Sequence, residues 1–170
     1  MQSVQRFKPP HGATTVAIVD TQWGDTGKGK FVDLLSEWAD IIARGTGGAN
    51  AGHTICIGDE THIFNLIPSG ILRDRDGKIN IIGNGVAVDP FIIRRELRVL
   101  QEKGLTCEHL MIAHNAHLVL PQHLVMDRIR ESSAGSSKIG TTGRGIGPLY
   151  TDHVARIGLQ VVDMVNKDSF

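Results

Sequence analysis

Residues 24–30 read GDTGKGK, and Gly24 and Gly29 stand with Lys30 in the GxxxxGK spacing of a phosphate-binding loop. In such a loop, backbone N–H groups at a helix start cradle phosphates and the lysine adds a point charge. The residue after the lysine is ordinarily a serine or threonine whose hydroxyl binds Mg²⁺; here it is Phe31. Another oxygen must take that place, and Asp25, inside the loop, is the candidate. A carboxylate in a phosphate cradle faces the anion it helps to bind, a cost that is tolerable if it binds the metal, works as a base, or does both. A second loop, GTGGANAGHT over residues 45–54, offers flexible backbone, the Asn50 amide and the His53 imidazole. A lone histidine in such a loop is ordinarily a surface residue. Beside an aspartate-bearing phosphate loop it becomes a candidate acid or phosphate partner. The plainer alternative is a glycine-rich turn with solvated lysines.

Positioning these loops requires a scaffold, and the order of apolar patterns supplies one. Residues 14–20 (TTVAIVD) form a β-branched run that enters the first loop. GKFVDLLSEWA then predicts a helix with Phe31, Leu34, Leu35 and Trp38 on one face. DIIARG predicts a second strand leading into the second loop, and residues 54–67 predict a hairpin with Gly58 and Asp59 in its turn. INIIGNGVAV is a further buried strand, followed by a helix over about 90–103 with Pro90 in its first turn. HLMIAHNAHLVL predicts one or two short strands and PQHLVMDRIRES a helix; a long Gly/Ser/Thr stretch follows. The alternation argues for an α/β fold, a phosphate-loop sheet with helices on its faces. Residues 1–13, with Pro9, Pro10 and Gly12, are expected to be a flexible leader, and 14–170 one domain.

Composition narrows the classes. With 18 basic and 18 acidic residues among 170, no overall field favours nucleic acid or an anionic membrane, although a small polyanion needs only local charge. Cys56 and Cys107 are too few for a disulfide framework, which fits a reducing cytoplasmic setting. No apolar run approaches the roughly 20 residues of a membrane span. His114, His117 and His123 include an HxxH spacing, but strand-and-turn context without an adjacent acid or cysteine favours a structural reading over a metal site. Arg94, Arg95 and Arg98 with Glu96 read as a solvated helix face. Trp38 and Leu34 read as core, and Trp23 as a brace for the first loop.

TQWGDTGKGK, NAGHT, LIPSGIL, IIGNGV and IGTTGRGIGP, in this order, resemble the N-terminal part of adenylosuccinate synthetases, over essentially all of the chain beyond the leader. The resemblance implies a GTP-dependent ligase of purine biosynthesis that joins L-aspartate to IMP through 6-phosphoryl-IMP, on the route to AMP. It implies Asp25 as the base and a Mg²⁺ ligand, His53 as general acid, and the Gly52 carbonyl as a second metal ligand. It further implies phosphate contacts of GTP from Gly24, Asp25, Thr26, Gly27, Lys28, Gly29 and Lys30 and from Gly52, His53 and Thr54. The IMP side is implied to take Asp25 to Lys28 together with Asn50, Ala51, Gly52 and His53. Thr142 corresponds to the residue holding the IMP 5′-phosphate, and Arg156 to an arginine reaching across a homodimer interface to the neighbouring IMP.

This chain departs from the family pattern at three places: Thr26 where a glutamate is usual, Ala49 where a polar residue precedes NAGH, and Asp20 where a glycine is usual. Family chains are more than twice as long, so the fold is expected to be incomplete relative to theirs. Guanine recognition, the aspartate loop and further IMP contacts are expected to lie outside this chain. NKDS at residues 166–169 only approximates a guanine-reading NKxD, its Asp one position early. A non-catalytic nucleotide- or phosphate-binding module therefore stays open beside the ligase, and a plain phosphate-loop hydrolase is a weaker third reading.

Overall fold

A computed structural model describes residue 9 and residues 11–22, 26–57 and 60–165. Its main sheet is parallel. β1 (Ile41–Gly47) pairs with β4 (Ile79–Val88) from Ile41 against Ile79 to Gly47 against Val86. β5 (Leu110–Ile112) pairs with β4 over Asn80 to Ile82, and β6 (His117–Leu118) pairs with Ala87 and Val88. A parallel strand covered on both faces needs a nearly continuous apolar run, and β4 supplies it: Ile82, Val86, Ala87 and Val88 are all buried. Between β1 and β4 the chain makes an antiparallel hairpin, β2 (His53–Ile57) with β3 (Glu60–Phe64), and a 3-10 run over Ser69–Asp76. The hairpin is as the sequence predicts; its turn residues Gly58 and Asp59 lie outside the described residues.

α2 (Pro90–Glu102) returns the chain from β4 to β5, completing a β-α-β unit. Its start is built from sequence: Pro90 occupies the first turn, and the Asp89 carboxylate accepts the N–H groups of Phe91 at 2.9 Å and Ile92 at 3.2 Å, a cap that contributes about 1 kcal/mol. Ile92, Ile93 and Leu100 pack with Ile67, Ile71, Ile82 and Val86 in the principal core, where each such side chain contributes about 1.5–3 kcal/mol. A second cluster of Ala87, Val119 and Leu149 joins the sheet to α3 (Pro121–Ser133) and α4 (Ile146–Ala155). A short α5 (Val161–Val165) closes the described chain.

Three expectations are corrected. Residues 15–20 form no strand, and Val19 is 78% exposed. A β-branched run becomes a strand only when a neighbouring backbone takes its N–H and C=O groups, and no described strand flanks this one. α1 (Lys28–Ser36) ends before Trp38 and buries Leu35 and Ser36, whereas Phe31 and Leu34 are each 51% exposed. α1 meets the rest of the chain mainly through β2 and the 69–76 run, so its inward stripe is narrower and rotated from the predicted one. Glu96 is 4% exposed rather than solvated, although Arg94, Arg95 and Arg98 beside it are exposed. Most of the expected leader lies outside the described residues.

Candidate functional site

The first loop leads into α1 through Gly27, whose φ of 78° is left-handed and suits glycine; the Lys30 N–H donates to the Gly27 carbonyl at 3.0 Å. Trp23, Gly24 and Asp25 lie outside the described residues. Gly29 presses on the second loop so closely that a Cβ placed on it would stand 2.6 Å from the His53 Cβ. The phosphate loop's helix start and the histidine loop therefore share one cavity of about 730 Å³. Lys28, Gly29, Asn50, Ala51, Gly52 and His53 line it. Lys30 and Thr54 are exposed and are not on its wall, so Lys28 is the lysine the cavity receives.

Lys28 is engaged. Its ammonium and the Thr26 hydroxyl both donate to the Asp20 carboxylate. Asp20 and Thr26, two of the departures from the family pattern, thus contact each other, and the negative charge missing at position 26 stands at position 20. Ala49, the third, is 4% exposed within the apolar core, where a polar side chain would need a buried partner. Hydrogen bonds from Lys28 and then Thr26 hold Asp20 below the usual carboxylate range. A depressed folded-state value means that the contact is fully present above the unfolded value, roughly pH 4, and is lost as pH falls through the lower folded one. Asp20→Asn frees Lys28, and the affinity of the chain for inorganic tripolyphosphate at pH 7 is expected to rise about threefold by calorimetry, with the gain shrinking in high salt. Unchanged affinity would show that Asp20 does not compete for the lysine.

The second loop is held by Arg44 and Asn65, which sequence reasoning passed over, and through Asn65 by Glu96, which it read as solvated. Arg44 of β1 donates through Nη2 to the Gly48 carbonyl at 2.7 Å, through Nε to Thr46 O at 3.2 Å, and through Nη1 to the carbonyls of Asn65 and, at 3.4 Å, Leu66. Burial pushes the guanidinium down from its ordinary value, while the Glu96 carboxylate works in the opposite direction. Glu96 accepts the N–H groups of Asn65 at 2.6 Å, Leu66 at 3.2 Å and Ile67 at 3.0 Å. Asn65 Nδ2 reaches on to the Ala51 carbonyl at 3.3 Å. The His53 ring lies 5.9 Å from the Phe64 ring, tilted 39° to it.

Thr142 is exposed in the loop between α3 and α4. Carboxylates of α3 tie that loop at both ends: Glu131 accepts the Gly140 N–H at 2.6 Å, and Asp127 accepts the Gly145 N–H at 2.9 Å. The start of α4 adjoins the second loop, since a Cβ on Gly48 would stand 2.5 Å from Ile146 Cδ1. Tyr150 Oη lies 2.7 Å from the Gly85 carbonyl and 3.4 Å from that of Gly47. Thr142 itself is not on the cavity wall. Neither is Arg156, which is exposed with a φ of 62° just past the end of α4. Of the histidines, His123 Nε2 lies 3.0 Å from Asp152 Oδ2, and His117 faces His153, Nδ1 to Nδ1 at 3.0 Å. Among the described residues, no three His, Cys, Asp or Glu side chains gather as a metal site.

Comparison with known proteins gives the family and the fold. Residues 17–170 match the family described as adenylosuccinate synthetase. The adenylosuccinate synthetase of Syntrophobacter fumaroxidans is 54% identical over 151 residues, 88% of this chain and 35% of that protein. That of Pelodictyon phaeoclathratiforme is 50% identical over 165 residues, 96% of this chain and 37% of that protein. Among solved structures, a fully ligated adenylosuccinate synthetase from Plasmodium falciparum superposes with a TM-score of 0.80 at 38% identity, covering 88% of this chain and 35% of that one. The chain thus spans about a third of the length of these relatives. The family match over residues 17–170, together with a fold that superposes on the solved relative, shows that this chain belongs to the adenylosuccinate synthetase family.

Proposed function

We propose that this chain carries the nucleotide-gripping part of a purine-biosynthetic ligase that joins L-aspartate to IMP and converts GTP to GDP and phosphate. The observation that carries the reading is the packing of Gly29 on His53, which brings the phosphate loop and the imidazole to one cavity. In this reading Asp25 takes the N1 proton of IMP. O6 then bonds the γ-phosphorus as the bond to the GDP oxygen breaks, giving 6-phosphoryl-IMP. The aspartate amine adds to C6, phosphate departs with O6, and the amine gives up a proton. His53 donates to the O6 and phosphoryl region, where negative charge gathers. Lys28, once released from Asp20, supplies positive charge to the phosphates, with Gly27, Gly29 and Thr26 around them.

The donors present fit a hard divalent cation. The Gly52 carbonyl and the Asp25 carboxylate are hard oxygen donors of the kind Mg²⁺ takes, and they would hold the ion. Bound Mg²⁺ would neutralise charge on the transferring phosphoryl group. Thr142 is assigned to the IMP 5′-phosphate. Arg156, exposed beyond α4, is assigned across a homodimer interface to the partner's IMP. A cytoplasmic location fits a chain in which no described helix is long and apolar enough to cross a membrane.

A second reading is a nucleotide-binding module without turnover of its own. One assay separates the two. The chain and its Asp25→Asn variant are incubated with IMP, labelled GTP, Mg²⁺ and aspartate, and adenylosuccinate and phosphate are followed alongside IMP binding. Adenylosuccinate from the chain, and none from the variant, supports a self-sufficient ligase. IMP binding without product supports the gripping part alone, and neither binding nor product overturns both readings.

A further inference from the structure

We infer that Arg44 and Asn65 are positioning residues for the second loop, holding the carbonyls of Thr46, Gly48 and Ala51 so that the Gly52 N–H is left to meet an anionic ligand. Arg44 takes the carbonyls of Thr46 and Gly48, and Asn65 Nδ2 takes that of Ala51. Across a trans peptide, the N–H of the next residue points opposite to the C=O. Tying down the Ala51 oxygen therefore turns the Gly52 N–H away from the Asn65 amide, while the bond to Gly48 fixes the loop where Ala49 enters the core. Ala51, Gly52 and His53 lie on the cavity, so the strap sets the direction of the loop's polar groups before any ligand arrives.

The strap is anchored rather than adaptable. Glu96 takes the N–H groups of residues 65–67, so the turn presenting Asn65 is fixed by a buried carboxylate from α2. Arg95 Nη2 approaches Asn65 Oδ1 at 3.4 Å, consistent with the amide orientation that points Nδ2 at Ala51. Gly47 leaves room for the guanidinium, since a Cβ there would stand 3.1 Å from Arg44 Nη2. A fork of several N–H groups can hold carbonyls of separate segments at once, which a lysine with the same charge cannot do in the same geometry. The ligand class, a nucleotide phosphate, rests on the reading under Proposed function; the preset loop does not.

The test is Arg44→Lys, with Asn65→Ala as a milder second variant. Backbone ¹⁵N order parameters and IMP affinity are measured on the full 170-residue chain. The expected result for Arg44→Lys is a fall in order parameters confined to residues 46–52 and 65–67, unchanged values in β4, and about tenfold weaker IMP binding. Asn65→Ala is expected to loosen Ala51 and Gly52 alone and to weaken IMP about threefold. Three results overturn the inference: wild-type order in the loop of both variants, weaker IMP binding with an unmoved loop, or loosening that extends equally through β4. If Arg44→Lys does not fold, Asn65→Ala decides by the same criteria. If the wild-type chain binds no IMP, the nucleotide reading fails while the order parameters still decide the strap.

Discussion

Replacing Glu96 by alanine is expected to lower the stability of the chain by about 3–5 kcal/mol, the range for removing one partner of a buried charged network. The carboxylate is 4% exposed and accepts three successive backbone N–H groups, those of Asn65, Leu66 and Ile67. Alanine leaves these donors without an acceptor and withdraws a negative charge that favours the charged form of the partly buried Arg44 guanidinium. Small domains are stable by only about 5–15 kcal/mol, so a loss of this size approaches the whole margin. It should lower the melting temperature by about 10 °C or more. Glu96→Gln, which keeps the shape and one acceptor oxygen, should fall between. Melting followed by circular dichroism checks the series, and an alanine variant within about 2 °C of wild type would refute the account.

The second large effect is expected at Gly85, in the middle of β4. A Cβ there would stand 2.5 Å from the Gly45 carbonyl oxygen, a backbone atom met by a rigidly placed carbon, so no side chain can swing aside. This is where the pairing of β1 with β4 shifts register between Arg44 and Thr46. Gly85→Ala must push the strands apart at the root of the second loop, at a cost of about 1–3 kcal/mol from overpacking and a lost pairing. Gly83→Ala, with its nearest contact at 3.0 Å from the Arg44 carbonyl, should cost less, and Gly147→Ala, which meets nothing within 4 Å, should be nearly neutral. Urea denaturation of the three variants gives the order directly. If Gly85→Ala and Gly147→Ala unfold at the same midpoint, the close approach of β1 to β4 is not what the glycine serves.

Much of the scaffold is legible because its signals are local. Pro90 announces the start of α2, and the alternation on either side of the β2–β3 turn announces the hairpin. The shared cavity could be anticipated only from the loops' composition, since the contact of Gly29 with His53 is made by folding. Arg44 left no trace because one arginine in an apolar strand carries no pattern. Glu96 could have been found: Ile92, Ile93 and Leu100 stand four, three and four residues from it, so it falls in the buried stripe despite its arginine neighbours. The strand expected over residues 14–20 has the right residue types but no described partner, and residue type alone does not hydrogen-bond a backbone.

The placement of the β2–β3 hairpin within the crossover from β1 to β4 has a consequence for the order of assembly. Parallel pairing of β1 with β4 must wait until the chain between them, residues 48–78, has been brought round, and closing so long a segment is slow. The hairpin needs no distant partner and can close in about 1–10 μs. Once closed, it brings His53 to Phe64 and shortens the effective loop that β1 and β4 still have to span. The segment that bears the imidazole is thereby also the one whose early closure makes the rest of the sheet quicker to register. Mutations that weaken the hairpin should slow folding more than they speed unfolding.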